Sequence, residues 1–133
     1  MIEKQLEALA AQRTQDGAPP PTSIALPNGG YLITVSDVEL GAGWNRERAT
    51  VLFVAPPGYP AAKPDCFWVE PSGLRLTGGG TPQNVNDSNP IPGDVIAGRQ
   101  TTWFSWHLQT WNPSTDSLLT FFKVITSRLK PAR

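Results

Sequence analysis

The sequence predicts an α+β fold in which helices pack on an antiparallel sheet. Three observations support this prediction. Apolar residues at helical spacing occur near both ends of the chain, apolar runs typical of strands lie between them, and the connections are rich in proline and glycine, with 14 and 12 residues. The length of 133 residues fits one domain, 1–133, and a hydrophobic content of 39% is enough for a sizeable core.

The first predicted element is a helix over residues 3–13. Ile2, Leu6 and Leu9 recur at helical spacing and are separated by good helix formers. The Asp16-Gly17 pair ends this helix, and the prolines that follow predict an extended connector.

Three strands are predicted next. Apolar and polar residues alternate from Tyr31 to Leu40, and β-branched residues are common there. A glycine-rich link leads to a nearly continuous apolar run from Arg48 to Ala55, which is typical of a central strand. Cys66 to Val69 predicts a short third strand. Each of the last two strands is closed by proline, which cannot donate to a strand ladder.

The second half of the chain is less regular. Residues 72–99 predict a long loop with one short strand near Leu74, and a loop of this length in a compact domain is usually functional or mobile. Residues 101–111 combine aromatic and polar side chains. Residues 112–114 (Asn-Pro-Ser) predict a helix start, and the final helix is expected over residues 114–129. The chain contains no internal repeat.

Composition excludes several classes of function. The 11 basic and 11 acidic residues give a formal net charge of zero, so no basic face for nucleic acid is expected. No segment approaches the roughly 18 apolar residues of a membrane span. The N-terminus is too polar for a signal peptide, and the single cysteine allows no internal disulfide. A cytoplasmic protein is therefore expected.

Four basic residues lie close together near the end of the chain: Lys123, Arg128, Lys130 and Arg133. Cations are favourable at a helix C-terminus because they interact with the partial negative charge there. We therefore interpret these residues as part of the helix end rather than as a binding site.

Three segments, in order, resemble the ubiquitin-conjugating (UBC) superfamily. Residues 57–64 (PGYPAAKP) resemble the YPxxPP turn that joins the middle strands of that family, and residues 66–69 stand where its next strand belongs. Residues 111–113 (Trp-Asn-Pro) resemble the WxP element that opens the helix behind the active site. The resemblance covers nearly the whole chain and implies a UBC-like fold with a long irregular active-site loop.

The chain looks closest to a divergent bacterial branch of this superfamily. Gly98-Arg99, the segment 104–107 (Phe-Ser-Trp-His) and the Trp-x-Pro element at 111–113 are similar to that branch. The resemblance implies three partners, namely a ubiquitin-like modifier, an activating enzyme and a deconjugating peptidase. It implies no cofactor.

Two departures from the family pattern concern its catalytic residues. At the position before Trp111 where conjugating enzymes usually carry the acceptor cysteine, this chain has Trp103. The His-Pro-Asn element of the family is also absent, since the loop contains Asn84, Asn86 and Asn89 but no histidine. The nature of the acyl-carrying atom is therefore open.

A Ser-x-His pair follows the position of the missing cysteine. Residues two apart in an extended backbone point to one side, so Ser105 and His107 could approach each other. An imidazole is the usual general base for a hydroxyl nucleophile, and the product of acyl transfer would be an oxyester. Thr101 and Thr102 are weaker candidates on the same segment. The structural alternative is that Ser105 caps a turn and His107 hydrogen-bonds the loop.

Cys66 is the only thiol and a second candidate for the acyl carrier. A reactive thiol needs exposure and a positive neighbour, for which Lys63 and Arg99 are available. A free cysteine at the start of an apolar strand is, however, often a small buried hydrophobe. One histidine and one cysteine without paired spacing predict no metal site.

The tryptophans Trp103, Trp106 and Trp111 form an aromatic group with two possible roles. They could pack the core or the base of the loop, because aromatic side chains dominate burial energetics. They could also contact the tail of a modifier together with Arg99, because Trp and Arg are common interface anchors.

Two functions follow from the sequence. The first is a conjugating protein that accepts the C-terminus of a ubiquitin-like modifier on Ser105, with His107 as base, and transfers it to a target. The alternative is a noncatalytic UBC-like module that binds the modifier or the activating enzyme. A thioester on Cys66 and an accidental resemblance remain further alternatives.

Overall fold

The computed structural model describes residues 1–133, which form two helices and six strands. In chain order these are α1 (Ile2–Gln15), β1 (Thr22–Ala25), β2 (Tyr31–Glu39), β3 (Arg48–Ala55), β4 (Phe67–Glu70), β5 (Val85–Asn86), β6 (Thr102–Phe104) and α2 (Leu118–Leu129). The strands form one antiparallel sheet in the order β1-β2-β3-β4-β6-β5. The predicted α+β, UBC-like fold is confirmed. Neither helix is long and apolar enough to cross a membrane.

The sheet separates a large core from a small one. Side chains alternate between the two faces of a strand, so neighbouring residues of one strand enter different cores. Ile33 of β2 and Phe53 of β3 belong to the large core, which also contains apolar residues of both helices. Leu32 of β2 lies in the small core on the opposite face, where Ile91 of the long loop covers it. Both helices therefore pack on the same face of the sheet.

Helix α2 begins later than the sequence predicted. It starts at Leu118 rather than at Ser114, and Ser117 is its N-cap. The Ser117 hydroxyl accepts a hydrogen bond from the Thr120 N–H, and the Thr120 hydroxyl accepts one from the Ser117 N–H, which forms a capping box. The segment before it is a turn, because the Asn112 side chain accepts a hydrogen bond from the Ser114 N–H.

The short strands were the least predictable elements. Strand β1 was missed because all four of its residues are exposed and show no alternating pattern. The predicted strand near Leu74 was wrong. The Leu74 N–H donates to the Thr102 hydroxyl instead of to a neighbouring strand, although the Leu74 side chain is fully buried. The short strand of this long segment is β5, at Val85–Asn86.

The segment between β3 and β4 is fixed by contacts with both helices. Gln5 of α1 accepts hydrogen bonds from the Tyr59 hydroxyl and from the Leu118 N–H at the start of α2. The Trp111 indole N–H donates to the Pro60 carbonyl at 2.7 Å. Burial raises the pKa of Tyr59 to about 12, so its hydroxyl stays protonated and continues to donate. The Gln5 side-chain oxygen thus links α1 to the start of α2 and to the segment between β3 and β4.

Replacing Gln5 with leucine is expected to destabilise the fold. The substitution keeps most of the side-chain volume but leaves the donors of Tyr59 and Leu118 without an acceptor, which costs roughly 1–3 kcal/mol of unfolding free energy. Urea denaturation measures this change. Gln15→Leu, at an exposed position of the same helix, should change stability by only about 0.5 kcal/mol. Equal effects of the two substitutions would contradict the role given to Gln5.

Candidate functional site

The site lies where β4 begins and β6 ends. These strands are antiparallel neighbours, and Phe67 pairs with Phe104. The residues just before β4 and just after β6 must therefore lie at the same end of the sheet. The Cys66 N–H donates to the Trp106 carbonyl at 3.0 Å and continues the contact beyond the paired strands. This pairing brings together two segments that are far apart in the sequence.

Three side chains form a hydrogen-bonded chain at this end of the sheet. His107 Nδ1 lies 2.6 Å from Asp65 Oδ1, and His107 Nε2 lies 3.3 Å from Ser105 Oγ. An ionised carboxylate can only accept hydrogen bonds, so the proton of the neutral imidazole belongs on Nδ1. The Nε2 lone pair then faces the Ser105 hydroxyl. This is the order of groups in a Ser-His-Asp triad.

The predicted pair of Ser105 and His107 is therefore brought together, and Asp65 joins it. Asp65 was missed in the sequence because it is separated from the pair by a long irregular segment. A signal existed, since Asp65 immediately precedes a strand that can pair with the strand ending before Ser105. Antiparallel pairing of these strands would put the Asp65 carboxylate next to His107.

An open cavity of about 450 Å³ gives access to Ser105 and His107. Ser105 is half-buried, whereas the His107 and Asp65 side chains are 61% and 52% exposed. Asn84 also lines the cavity, and its carbonyl accepts a hydrogen bond from the Ser105 N–H at 2.9 Å. The Ser105 backbone is thus held by Asn84, and the Ser105 side chain lines the open cavity.

The family profile of prokaryotic E2 family E matches residues 24–132, which include strands β2 to β6, the site and α2. The chain belongs to prokaryotic E2 family E. No curated protein matches the chain, and no solved structure matches it. Membership in this E2 family assigns the protein a general role in ubiquitin-like conjugation, with a modifier and an activating enzyme as its general partners.

The only thiol of this E2 family protein is poorly suited to carry an acyl group. Cys66 is only 7% exposed. Burial raises the pKa of its thiol, and the neighbouring Asp65 carboxylate also raises it. Its Sγ lies 4.0 Å from His107 Nδ1, the nitrogen that already contacts Asp65. Lys63, proposed as a positive neighbour, donates instead to the Leu108 carbonyl.

The same three residues offer donor atoms of the types that bind zinc. An oxygen of Asp65, the sulfur of Cys66 and a nitrogen of His107 lie within 4.8 Å of one another. The prediction of no metal site rested on spacing along the chain, which did not include Asp65. A metal bound to Nδ1 would replace the hydrogen bond that orients His107 toward Ser105.

The three tryptophans of the predicted binding group lie in different surroundings. Trp106 lines the cavity that contains Ser105 and His107. Trp103 packs against the small core on the opposite face of the sheet. Trp111 contacts the turn before β4 through its bond to Pro60. Only Trp106 lies at the site, and the other two support the surrounding structure.

Arg99 and the two threonines are also held in structural contacts. The Arg99 guanidinium, 9% exposed, donates to Asp94 at 2.7 Å and lies 3.5 Å from Glu70. Its hydrogen bond with Asp94 raises the pKa of Arg99. Thr101 and Thr102 are buried, and the Thr102 hydroxyl donates to a carboxylate. These side chains order the loop that leads into β6.

Slow alkylation of Cys66 is expected in the folded protein. A raised pKa leaves little thiolate near neutral pH, so the rate with iodoacetamide at about pH 8 should be at least about tenfold lower than in denaturant. Mass spectrometry of timed samples measures the rate. Alkylation of the folded chain as fast as of the unfolded chain would show an accessible, reactive thiol and would restore Cys66 as a candidate carrier.

Proposed function

We propose that this protein carries the C-terminal acyl group of a ubiquitin-like modifier on Ser105 as an oxyester and transfers it to a target. His107 acts as the general base, and Asp65 orients it. The observation that carries this proposal is the hydrogen-bonded chain from Asp65 through His107 to Ser105. The activating enzyme supplies the acyl group, and a deconjugating peptidase would reverse the conjugation.

The loading step follows from the positions of the three side chains. Ser105 Oγ attacks the carbonyl carbon of a modifier held by the activating enzyme as a thioester, and His107 Nε2 takes the hydroxyl proton. The C–O bond to Ser105 forms as the C–S bond breaks. The imidazolium then gives its proton to the leaving thiolate. Asp65 stabilises the imidazolium and keeps Nδ1 protonated throughout.

The transfer step uses the same groups in the same order. An amine of the target attacks the oxyester carbonyl, and His107 Nε2 accepts a proton from the attacking nitrogen. The C–N bond forms as the C–O bond to Ser105 breaks, and Ser105 Oγ regains its proton from the imidazolium. The base is needed in both steps, because an unassisted hydroxyl is a weak nucleophile.

Three residues that line the cavity carry N–H groups for the oxyanion that forms in each step. The backbone N–H groups of Trp106 and His107 make no backbone hydrogen bond in the protein. The exposed Asn84 lines the same cavity and carries a side-chain amide. N–H donors near a developing negative charge stabilise the transition state. We assign these three groups to the oxyanion, with Asn84 as the side-chain donor.

The proposal makes the protein an E2 without the usual catalytic cysteine. Trp103 occupies the position where the resemblance places that cysteine, and its side chain is used in packing. The thiol of Cys66 is buried beside the site. Ser105 is the nucleophile-bearing residue that faces both the base and the open cavity.

One observation favours a second function, that of a noncatalytic binding module. The Asp65 and His107 side chains are more than half exposed, and water screens such a pair and weakens it. In that case the protein would hold the modifier or the activating enzyme without a covalent step. Formation of a covalent adduct with the modifier would separate the two functions.

Incubation with modifier, activating enzyme and ATP is expected to give an adduct that resists thiols and is cleaved by hydroxylamine. An oxyester has these properties, whereas a thioester is cleaved by thiols. Ser105→Ala should form no such adduct. His107→Gln removes the base, and Asp65→Asn removes the carboxylate that orients it. Each should slow adduct formation by about 100-fold or more.

Cys66→Ala and Ser88→Ala are the matched controls, and both should form the adduct at nearly the wild-type rate. Ser88 is exposed and lies outside the cavity. An adduct formed at full yield by Ser105→Ala would exclude Ser105 as the carrier. Normal conjugation by a protein with Ser105, His107 and Cys66 all replaced would establish the noncatalytic function.

A further inference from the structure

A second cavity next to the site is strongly basic. It has a volume of about 510 Å³ and lies along α2, beside Trp106. Three cationic side chains line it, and no acidic side chain does: the cations are Lys123, Arg128 and Arg133. Three hydroxyl side chains also line it, at Ser117, Thr120 and Ser127. This composition provides many donors and no acidic side chain.

Arg128 is a buried cation whose Nη2 bonds only to backbone oxygens. The residue is 1% exposed, and its Nη2 donates to the backbone oxygens of Gln83 and Arg133, each at 2.8 Å. Its Nη1 is buried and has no hydrogen-bond partner. Buried charges are normally paired, because removal from water costs several kcal/mol. Arg128 therefore keeps an unsatisfied donor beside the cavity, and its positive charge adds to the attraction of an anion there.

Aromatic rings hold two of the three cations in place. The Arg128 guanidinium lies 5.0 Å from the Phe104 ring and 5.4 Å from the Trp106 ring. The Arg133 guanidinium lies 5.8 Å from the same Trp106 ring. Cation–π contacts position a charge without neutralising it. Burial, together with the nearby Arg133, lowers the pKa of Arg128 to about 10, so it remains charged at neutral pH.

These contacts revise the sequence interpretation of the basic residues as a helix end. Lys130 fits that interpretation, because it lies outside this cavity and 3.7 Å from Glu39. Arg128 is turned inward, and Arg133 reaches Trp106. A favourable interaction with the helix dipole does not require either arrangement.

The basic cavity is next to the cavity that holds Ser105. Trp106 and Val124 line both cavities. A polypeptide whose terminal carbonyl is at Ser105 can thus continue past Trp106 into the basic cavity. The modifier is the polypeptide that stays at Ser105 during the whole lifetime of the oxyester.

We propose that the basic cavity, formed by Lys123, Arg128 and Arg133, binds an acidic side chain in the C-terminal tail of the modifier. This inference rests on the proposed function, because it places the tail at Ser105. The carboxylate would pair with Lys123 and Arg133, and the buried charge of Arg128 behind them would add to the attraction. It would select modifiers with an acidic residue near the C-terminus and would position their terminal carbonyl.

Peptide binding to the Ser105→Ala protein tests this proposal without any acyl transfer. The probes are two capped hexapeptides, N-acetyl-Gly-Gly-Glu-Glu-Gly-Gly-amide and the same peptide with two glutamines, titrated by NMR. The glutamate peptide should bind at least about tenfold more tightly, because three cationic side chains and no acidic side chain line the cavity and charge-assisted hydrogen bonds are the strong ones. Its binding should shift the Trp106 indole signal.

Substitutions at the exposed or half-exposed cations avoid unfolding the protein, which replacement of the buried Arg128 could cause. The double variant Lys123→Gln/Arg133→Gln should bind the glutamate peptide no better than the glutamine peptide. Lys130→Gln is the matched control and should keep the preference. Equal affinities for the two peptides, or an equal loss of preference in Lys130→Gln, would overturn the proposal.

Loading kinetics test whether the anion belongs to the modifier rather than to the target. With Ser105 intact, the double variant should form the oxyester at least about tenfold more slowly, with unchanged discharge to an amine. Slower discharge with unchanged loading would assign the cavity to the target and overturn its assignment to the modifier. Peptide discrimination without any oxyester would keep the anion site and reject the proposed function alone.

Discussion

The antiparallel pairing of β4 with β6 is the constraint on which both the sheet and the site depend. It sets Phe67 opposite Phe104, with the two rings stacked at 4.5 Å in the large core. Because the strands run in opposite directions, the start of β4 and the end of β6 coincide. Asp65 and His107 meet only for this reason. A shift of register by one residue would turn every side chain of β6 to the other face and would separate the two.

The same pairing links the site to the basic cavity. Phe104 extends from β6 into the core, where its ring also lies 5.0 Å from the Arg128 guanidinium. Trp106, two residues further on, borders both cavities and contacts Arg128 and Arg133. One short strand and the residues after it thus position the proposed nucleophile, its proposed base and the ring that contacts two cations. The proposed chemistry and the proposed recognition of the modifier's tail depend on a single structural element.

The sequence predicted the elements whose side chains show a regular pattern. Helix α1 and strands β2 and β3 were found within a few residues, because α1 and β2 have periodic apolar residues and β3 is a nearly continuous apolar run. Strand β1 was missed because its exposed residues have no alternating apolar pattern that would indicate a strand. The start of α2 was placed too early because Asn112 and Pro113 form a turn with helix-like composition, whereas the true cap is Ser117.

The site was predicted only in its local part. Ser105 and His107 are two residues apart, so their proximity follows from local geometry. Asp65 and Arg128 are distant in sequence, and their roles depend on strand pairing and burial, which no local pattern encodes. Arg99 illustrates the opposite case. Arginine is a common interface anchor, which suggested a binding role, but the Arg99 guanidinium pairs with Asp94 and Glu70 within the protein. Sequence patterns therefore identified the Ser105–His107 pair but neither the carboxylate that contacts His107 nor the buried cation beside the site.

The central claim is that Asp65 and His107 make the Ser105 hydroxyl nucleophilic. The most direct test is reaction of the folded protein with a fluorophosphonate, which phosphonylates activated serines and needs no partner protein. Intact-mass measurement and fragmentation should find one phosphonyl group per chain, on Ser105, with labelling lost in Asp65→Asn. Absence of labelling, labelling of another residue, or undiminished labelling of Asp65→Asn would contradict the claim.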